Sequence, residues 1–155
     1  GEVVGEVLSL VRGDAAARQV RVESAIAPNL PLVLGDRIHL QQVLINLLVN
    51  AMDALDGVAR VERLVRVTIR KAGAAAVEVE VADKGHGIAK EHLPRLFEPF
   101  FTTKGSGMGI GLAVSKTIIE AHKGRLWAEN DPAGGARFRF TVPVGSGAVI
   151  PSSIS

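Results

Sequence analysis

Apolar residues recur at helical spacing near the start of the chain, at Val3, Val4, Val7, Leu8, Leu10 and Val11, ahead of an alanine patch. This predicts a helix within Glu2 to Arg21 leading into a strand near Gln19 to Ser24. Pro28-Asn29-Leu30-Pro31 reads as a turn, because proline fixes φ and has no amide hydrogen to donate. From Asp36 a second helix is predicted, with the aspartate as N-cap ahead of Ile38, Leu40, Val43, Leu44, Leu47, Leu48, Ala51 and Leu55, and with Gly57 ending it. Leu64 to Lys71 and Ala76 to Ala82 then alternate apolar and polar residues on either side of Gly73, the pattern of a hairpin. Helical spacing returns over Ile110 to His122, at Leu112, Val114, Ile118 and Ile119, and stops at Lys123-Gly124. A second hairpin is predicted from Arg125 to Glu129 and Arg137 to Val144, joined by a turn over Asn130 to Gly135. Strands with one apolar and one charged side imply an antiparallel sheet with a wet face, and helices should cover the dry one.

The chain of 155 residues suits one domain, predicted over residues 1–144, with the glycine- and serine-rich residues 145–155 as a tail or linker. Its 18 basic and 16 acidic side chains are scattered, and it has one tryptophan and no tyrosine, so no nucleic-acid partner is expected. Apolar runs are far shorter than the ~20 residues of a bilayer span, so no direct membrane contact is expected of this stretch. It begins at Gly1 in helix-like sequence, as a piece of a longer protein would, and any membrane anchor is expected outside it. The absence of cysteine excludes disulfides and thiolate metal sites and suits a reducing, cytoplasmic setting.

Polar residues interrupt the second helix in a pattern that carries chemistry. Asn46, Asn50 and Asp53 share one face at i, i+4 and i+7. Asparagine is a weak helix former, and burying it without a partner costs about 1–3 kcal/mol. A magnesium ion with phosphate oxygens would supply that partner, held by Asn50 with help from Asn46; an asparagine pair hydrogen-bonded within the core is the alternative. Asp83 follows a predicted strand and opens Asp83-Lys84-Gly85-His86-Gly87-Ile88, where glycines let the backbone approach a flat ligand and a carboxylate can accept an adenine amino proton. A tight turn with a solvated aspartate fits the same residues. Gly105, Gly107, Gly109 and Gly111 precede a helix and can turn amides toward an anion, as in a phosphate cradle or a flexible lid. Neither the P-loop nor the dinucleotide-binding glycine fingerprint is matched. Leu96-Phe97-Glu98-Pro99-Phe100-Phe101 places three aromatic anchors before Thr102-Thr103-Lys104, and Lys104 can reach a terminal phosphate.

In this order, these segments resemble the catalytic ATP-binding domain of two-component sensor histidine kinases, within the superfamily that includes DNA gyrase, heat-shock chaperone ATPases and MutL. The likeness covers Leu30 to Val144, and Asn50-Ala51-Met52-Asp53-Ala54 is most similar to the nitrogen-regulation and oxygen-sensor type. The resemblance implies an α+β fold, a two-layer α/β sandwich with a mixed, mainly antiparallel sheet covered on one face by helices (the Bergerat ATP-binding fold). It implies ATP and Mg²⁺ as cofactors, with Asn46 and Lys104 catalytic and Asn50 as metal ligand. The implied ATP site comprises Asn46, Asn50, Asp53, Asp83, Gly85, Gly87, Ile88, Thr103, Lys104, Gly107, Met108, Gly109, Ile110, Gly111 and Leu112. Asp83 would read adenine N6, and the amides of Gly107, Gly109 and Gly111 would close over the phosphates.

Gyrase-like and chaperone members of the superfamily carry a glutamate general base where this chain has Asn46. A neutral amide cannot take a proton, which favours phosphoryl transfer to an external nucleophile over hydrolysis. The implied partners are the dimerisation domain of the same kinase, bearing the phosphoacceptor histidine, and a downstream response regulator. Two departures stand out. Ala136-Arg137 occupies the place of a usual threonine or serine, and His39, His86, His92 and His122 all lack the phosphoacceptor context. The chain is therefore expected to bind Mg-ATP without autophosphorylating alone. A serine kinase of the anti-sigma type and a nucleotide-binding pseudo-kinase module are the alternatives.

Overall fold

The structure, a computed structural model, describes residues 2–31, 33, 35–101 and 111–144. Its elements run α1 (Glu2–Ala17), β1 (Arg21–Ile26), α2 (Arg37–Asp53), β2 (Leu64–Ala72), β3 (Ala76–Asp83), α3 (Gly111–Ala121), β4 (Arg125–Asn130) and β5 (Ala136–Pro143), with short 3₁₀ helices at Arg60–Glu62 and Leu93–Arg95. The strands form one sheet in the order β1-β2-β3-β5-β4. Both expected hairpins are present: β2 with β3, where Val67 faces Val81, and β4 with β5, where Ala128 faces Phe138. Adjacent β3 and β5 are antiparallel too, whereas β1 lies parallel to β2 because α2 carries the chain back between them.

Period-two alternation sorts this sheet into a dry and a wet face. Val65, Val67, Ile69, Val77, Val79, Val81, Phe138, Phe140 and Val142 are buried, and they meet the apolar stripe of α2 at Leu40, Val43, Leu44, Leu47, Leu48, Ala51 and Met52. Val3, Val4, Val7 and Val11 of α1 and Ile119 of α3 extend that core. On the other face charges are paired across strands: Arg70 with Glu78 at 2.6 Å, Arg139 with Glu80 at 2.7 Å and with Glu129 at 2.6 Å, and Arg66 with Glu23 at 2.8 Å. The Arg66–Glu23 pair is exposed and contributes little, while Glu78, Glu80 and Arg139 are largely buried and meet their desolvation with these partners.

Asp36 caps α2 as expected, its carboxylate accepting from the amides of Ile38 at 3.0 Å and His39 at 3.1 Å. The Asp36 amide in turn donates to His122 Nε2 at 2.9 Å, while His122 Nδ1 donates to the Ile118 carbonyl at 2.8 Å. One imidazole thus ties the start of α2 to the end of α3. The end of α1 is joined to the end of α2 by Arg18 and Asp53 at 2.7 Å, and Glu6 of α1 meets Arg37 and Gln41 of α2.

The hydrogen bonds from the His39 and Ile38 amides, with His39 and His122 nearby, hold the Asp36 carboxyl below its ordinary pKa. A depressed carboxyl contributes stability above its unfolded pKa and loses it as pH falls through the folded one. Asp36→Ala is expected to lower the urea midpoint at neutral pH, with the difference from the parent chain shrinking on acidification through that range. Glycine turns give a second expectation. Gly73, between β2 and β3, has φ +71° with nothing within 4 Å of where a Cβ would lie. Gly135 has φ +86° and would place a Cβ 1.9 Å from the Asp83 carbonyl oxygen. Gly73→Ala is expected to cost about 1 kcal/mol in urea unfolding, and Gly135→Ala distinctly more, because the backbone must also move.

Candidate functional site

Asp83 is placed by the alternation of β3. Continuing the row Val77-Val79-Val81, it points to the helical face and is only 3% exposed. Its Oδ1 accepts from the Gly85 amide at 2.8 Å and the Ala136 amide at 3.4 Å. Burial raises the carboxyl above the ordinary aspartate pKa, against the opposing pull of those two amides and of His86. Among the described residues both hydrogen bonds to this carboxylate fall on Oδ1, which leaves Oδ2 for a ligand.

Asp83 lies in the wall of a cleft of about 580 Å³. One side is formed by Asn50, Asp53, Ala54 and Asp56 at the end of α2 and the turn beyond it, the other by Gly87, Ile88, Ala89, His92 and Leu96. Leu112, at the start of α3, and Ala136 and Phe138 of β5 complete it. The polar row of α2 divides here. Asn50 and Asp53 line the cleft, and Asp53 Oδ1 accepts from Arg18 at 2.7 Å. Asn46, one turn earlier, lies against α3, its Nδ2 donating to the Gly111 carbonyl at 3.2 Å and to Ser115 Oγ at 3.1 Å.

Of the other expected site residues, Gly85, Gly87 and Ile88 form the loop leaving Asp83, while Gly111 and Leu112 open α3. Thr103, Lys104, Gly107, Met108, Gly109 and Ile110 lie outside the described residues. The three phenylalanines before them do not act alike. Phe97 packs edge-on against Phe138 at 6.4 Å with the Lys116 ammonium 5.2 Å from its ring, and Phe101 sits between His92 and the Arg95 guanidinium. Phe100 is not a buried anchor: it is 73% exposed, with φ +68°.

Several contributors escaped the sequence reading. Ser115 is fully buried, and its one signal was a hydroxyl on the apolar row Leu112-Ser115-Ile119. His86 Nε2 lies 3.1 Å from the Asp56 carbonyl, so that nitrogen carries a proton and ties the loop after Asp83 to the turn after α2. Arg18 and Asn130 act across 35 and 42 residues of sequence, beyond any local pattern. The Ala136 departure has a partial explanation, since the backbone amide of this residue holds Asp83 and its side chain lines the cleft.

The donor set suits a hydrated cation shared with phosphate. Asn50 offers a hard oxygen at the cleft wall, and among the described residues no group of three histidines, cysteines or carboxylates is placed to form a protein cage. Nor is any helix among them long and apolar enough to cross a membrane.

Known proteins agree with this architecture. Residues 35–146 match the family described as "Histidine kinase-, DNA gyrase B-, and HSP90-like ATPase". The chain is 44% identical over 142 residues to the sensor protein FixL of Bradyrhizobium diazoefficiens, covering 92% of this chain and 28% of that relative's length. The catalytic domain of histidine kinase ThkA, solved without nucleotide, superposes with a TM-score of 0.79 at 31% identity, over 92% of this chain and 91% of that one. Full-length ShkA in complex with AMPPNP superposes with a TM-score of 0.81 at 28% identity, over 96% of this chain and 30% of that one. The expected mixed sheet under a single helical layer is the fold these proteins share. The chain belongs to the histidine kinase-, DNA gyrase B- and HSP90-like ATPase family, and within it to the catalytic domains of the sensor histidine kinases.

Proposed function

We propose that this domain binds ATP with Mg²⁺ in the cleft at Asp83 and donates the γ-phosphoryl group to a histidine on the dimerisation domain of its own kinase, from which a response regulator receives it. The observation that carries this reading is the half-used Asp83 carboxylate, buried in the wall of a cleft large enough for a nucleotide. Asp83 Oδ2 accepts the adenine amino proton. Gly87, Ile88 and Ala89 supply a flat wall for the base. Asn50, with Asp53 alongside, holds the metal end. Lys104 meets the terminal phosphate, and the amides of Gly107, Gly109 and Gly111 close over the chain of phosphates, with Thr103, Met108, Ile110 and Leu112 completing the enclosure. When bound, Mg²⁺ neutralises phosphate charge that otherwise repels the incoming nucleophile.

Asn46 sets the reaction class. Its amide has no basic site for a water proton, so the chain's own residues position and neutralise rather than activate water. The acceptor imidazole brings its own lone pair; a nitrogen–phosphorus bond forms as the bond to the β-phosphate oxygen breaks, and ADP leaves. ATP as donor also places the working domain in the cytoplasm.

Calorimetric titration with a non-hydrolysable ATP analogue is expected to show binding strengthened by Mg²⁺. In Asp83→Asn the amide oxygen takes over the Gly85 and Ala136 bonds and its NH₂ faces the adenine NH₂. Binding should weaken by roughly 10- to 100-fold, since hydrogen bonds to a charged acceptor contribute about 1.5–3 kcal/mol, while the fold persists. Asn50→Ala should bind with a smaller magnesium response. The parent chain should lose affinity on acidification. A raised carboxyl pKa means that Asp83 takes up its proton at a higher pH than an ordinary aspartate, and the acceptor fades as pH falls through that raised value.

Transfer is read separately. The parent chain with ATP should acquire no acid-labile phosphate alone and should label a separate dimerisation domain bearing the phosphoacceptor histidine. Acid-stable phosphoserine on a partner would favour the anti-sigma type of kinase, and binding without transfer to any acceptor a pseudo-kinase.

A further inference from the structure

The loop from Gly85 to Ile88 carries the base wall of the cleft, yet it belongs to no helix or strand. A wall that must stay flat against a ligand needs its backbone groups held. At its far end the holder is one side chain. Asn130, the last residue of β4, accepts from the Ile88 amide through Oδ1 at 2.7 Å and donates from Nδ2 to the Ile88 carbonyl at 2.7 Å. Because donor and acceptor are both matched, the amide orientation is unambiguous. The pair imitates one rung of an antiparallel ladder where no strand continues.

The surroundings leave little room for another arrangement. Gly87 has φ +78°, and a Cβ there would lie 2.9 Å from Asn130 Oδ1. The Asp131 amide donates to the Gly135 carbonyl at 2.9 Å, closing the turn that carries Asn130, and the neighbouring Ala136 amide reaches Asp83 Oδ1. Asn130 does not line the cleft; Ile88 does.

We propose that Asn130 is a positioning residue for adenine. By clamping the Ile88 backbone it fixes the apolar wall relative to Asp83, so that base stacking and the Asp83 hydrogen bond are met together. This rests on the nucleotide reading of the cleft and adds to it the device that sets selectivity for the base. Two consequences separate it from a merely stabilising role. Loss of the clamp should weaken ligands that carry adenine and leave ligands that are only phosphate untouched. It should also release the Ile88 amide, which can be observed by hydrogen exchange.

The experiment compares the parent chain with Asn130→Ala and with the isosteric Asn130→Asp, which keeps an acceptor for the Ile88 amide but sets an anionic oxygen against the Ile88 carbonyl. Affinities for the non-hydrolysable ATP analogue, for adenosine and for inorganic tripolyphosphate are measured by calorimetry, and Ile88 amide exchange by NMR. Both variants are expected to bind the ATP analogue and adenosine about tenfold more weakly, as the loss of one or two hydrogen bonds implies. Tripolyphosphate affinity should be unchanged and Ile88 exchange faster. Parent-like affinity for the analogue in either folded variant overturns the inference, as does equal weakening toward tripolyphosphate. Should Asn130→Ala fail to fold, Asn130→Asp decides alone. A parent chain that binds no ATP analogue overturns the nucleotide reading and this inference together, whereas a parent that binds beside indifferent variants overturns the inference alone.

Discussion

A carboxylate at 3% exposure is a constraint that the surrounding chain must answer. Asp83 stands on the dry face of the sheet because β3 does not break its alternation after Val81, and two backbone amides meet its Oδ1 there. One amide, of Gly85, lies in the turn that follows β3, and the other, of Ala136, opens β5 directly after the turn that joins it to β4. Folding the carboxylate inward therefore fixes both turns, and the turns form the rim of the cleft. The raised pKa expresses the same balance, since desolvation outweighs two hydrogen bonds. A carboxylate of this kind is held by the core on one side and lines the cleft on the other.

The second organising feature is the antiparallel pairing of α2 with α3. Its far end is tied through His122 and the amide of Asp36, and its near end through Asn46 to Gly111 and Ser115. The near tie lies at the first turn of α3, so a residue proposed to act at the phosphates is in contact with that helix.

The legible part of this molecule was local. Helical spacing in α2, alternation in β2 to β5, the Asp36 cap and the turns at Gly73 and Gly134-Gly135 follow from neighbours in sequence. Asn50 was visible as part of a polar row on an amphipathic helix and Asp83 as a carboxylate next to a strand, but that Asp83 is itself the last, buried residue of β3 was not. The pairing of β1 with β2 was not legible residue by residue, since a parallel neighbour is set by the crossover through α2 rather than by either strand. The division of the polar row was equally hidden. Asn46, Asn50 and Asp53 share a face, but only packing decides that the first meets α3 while the others line the cleft. Phe100 misled for a related reason: an aromatic in a cluster is expected to be buried, and positive φ carries this one outward.

Asp83 in the cleft wall and Asn46 against α3 are anchored in the same way. Asp83 uses Oδ1 for the protein, and the hydrogen bonds of Asn46 among the described residues both leave from Nδ2. In each, one polar atom anchors the side chain and the other makes no hydrogen bond among the described residues, so in the proposed complex both groups are oriented beforehand and lose little rotamer entropy. Asn130 extends the scheme to the backbone, spending both of its polar atoms on Ile88 so that a loop without secondary structure behaves as a wall. Preorganisation of this kind suits the phosphoryl transfer proposed above, with the neutral amide of Asn46 in place of a base. In that proposal no side chain of the domain takes a proton in the step, so placement of the donor is its principal contribution.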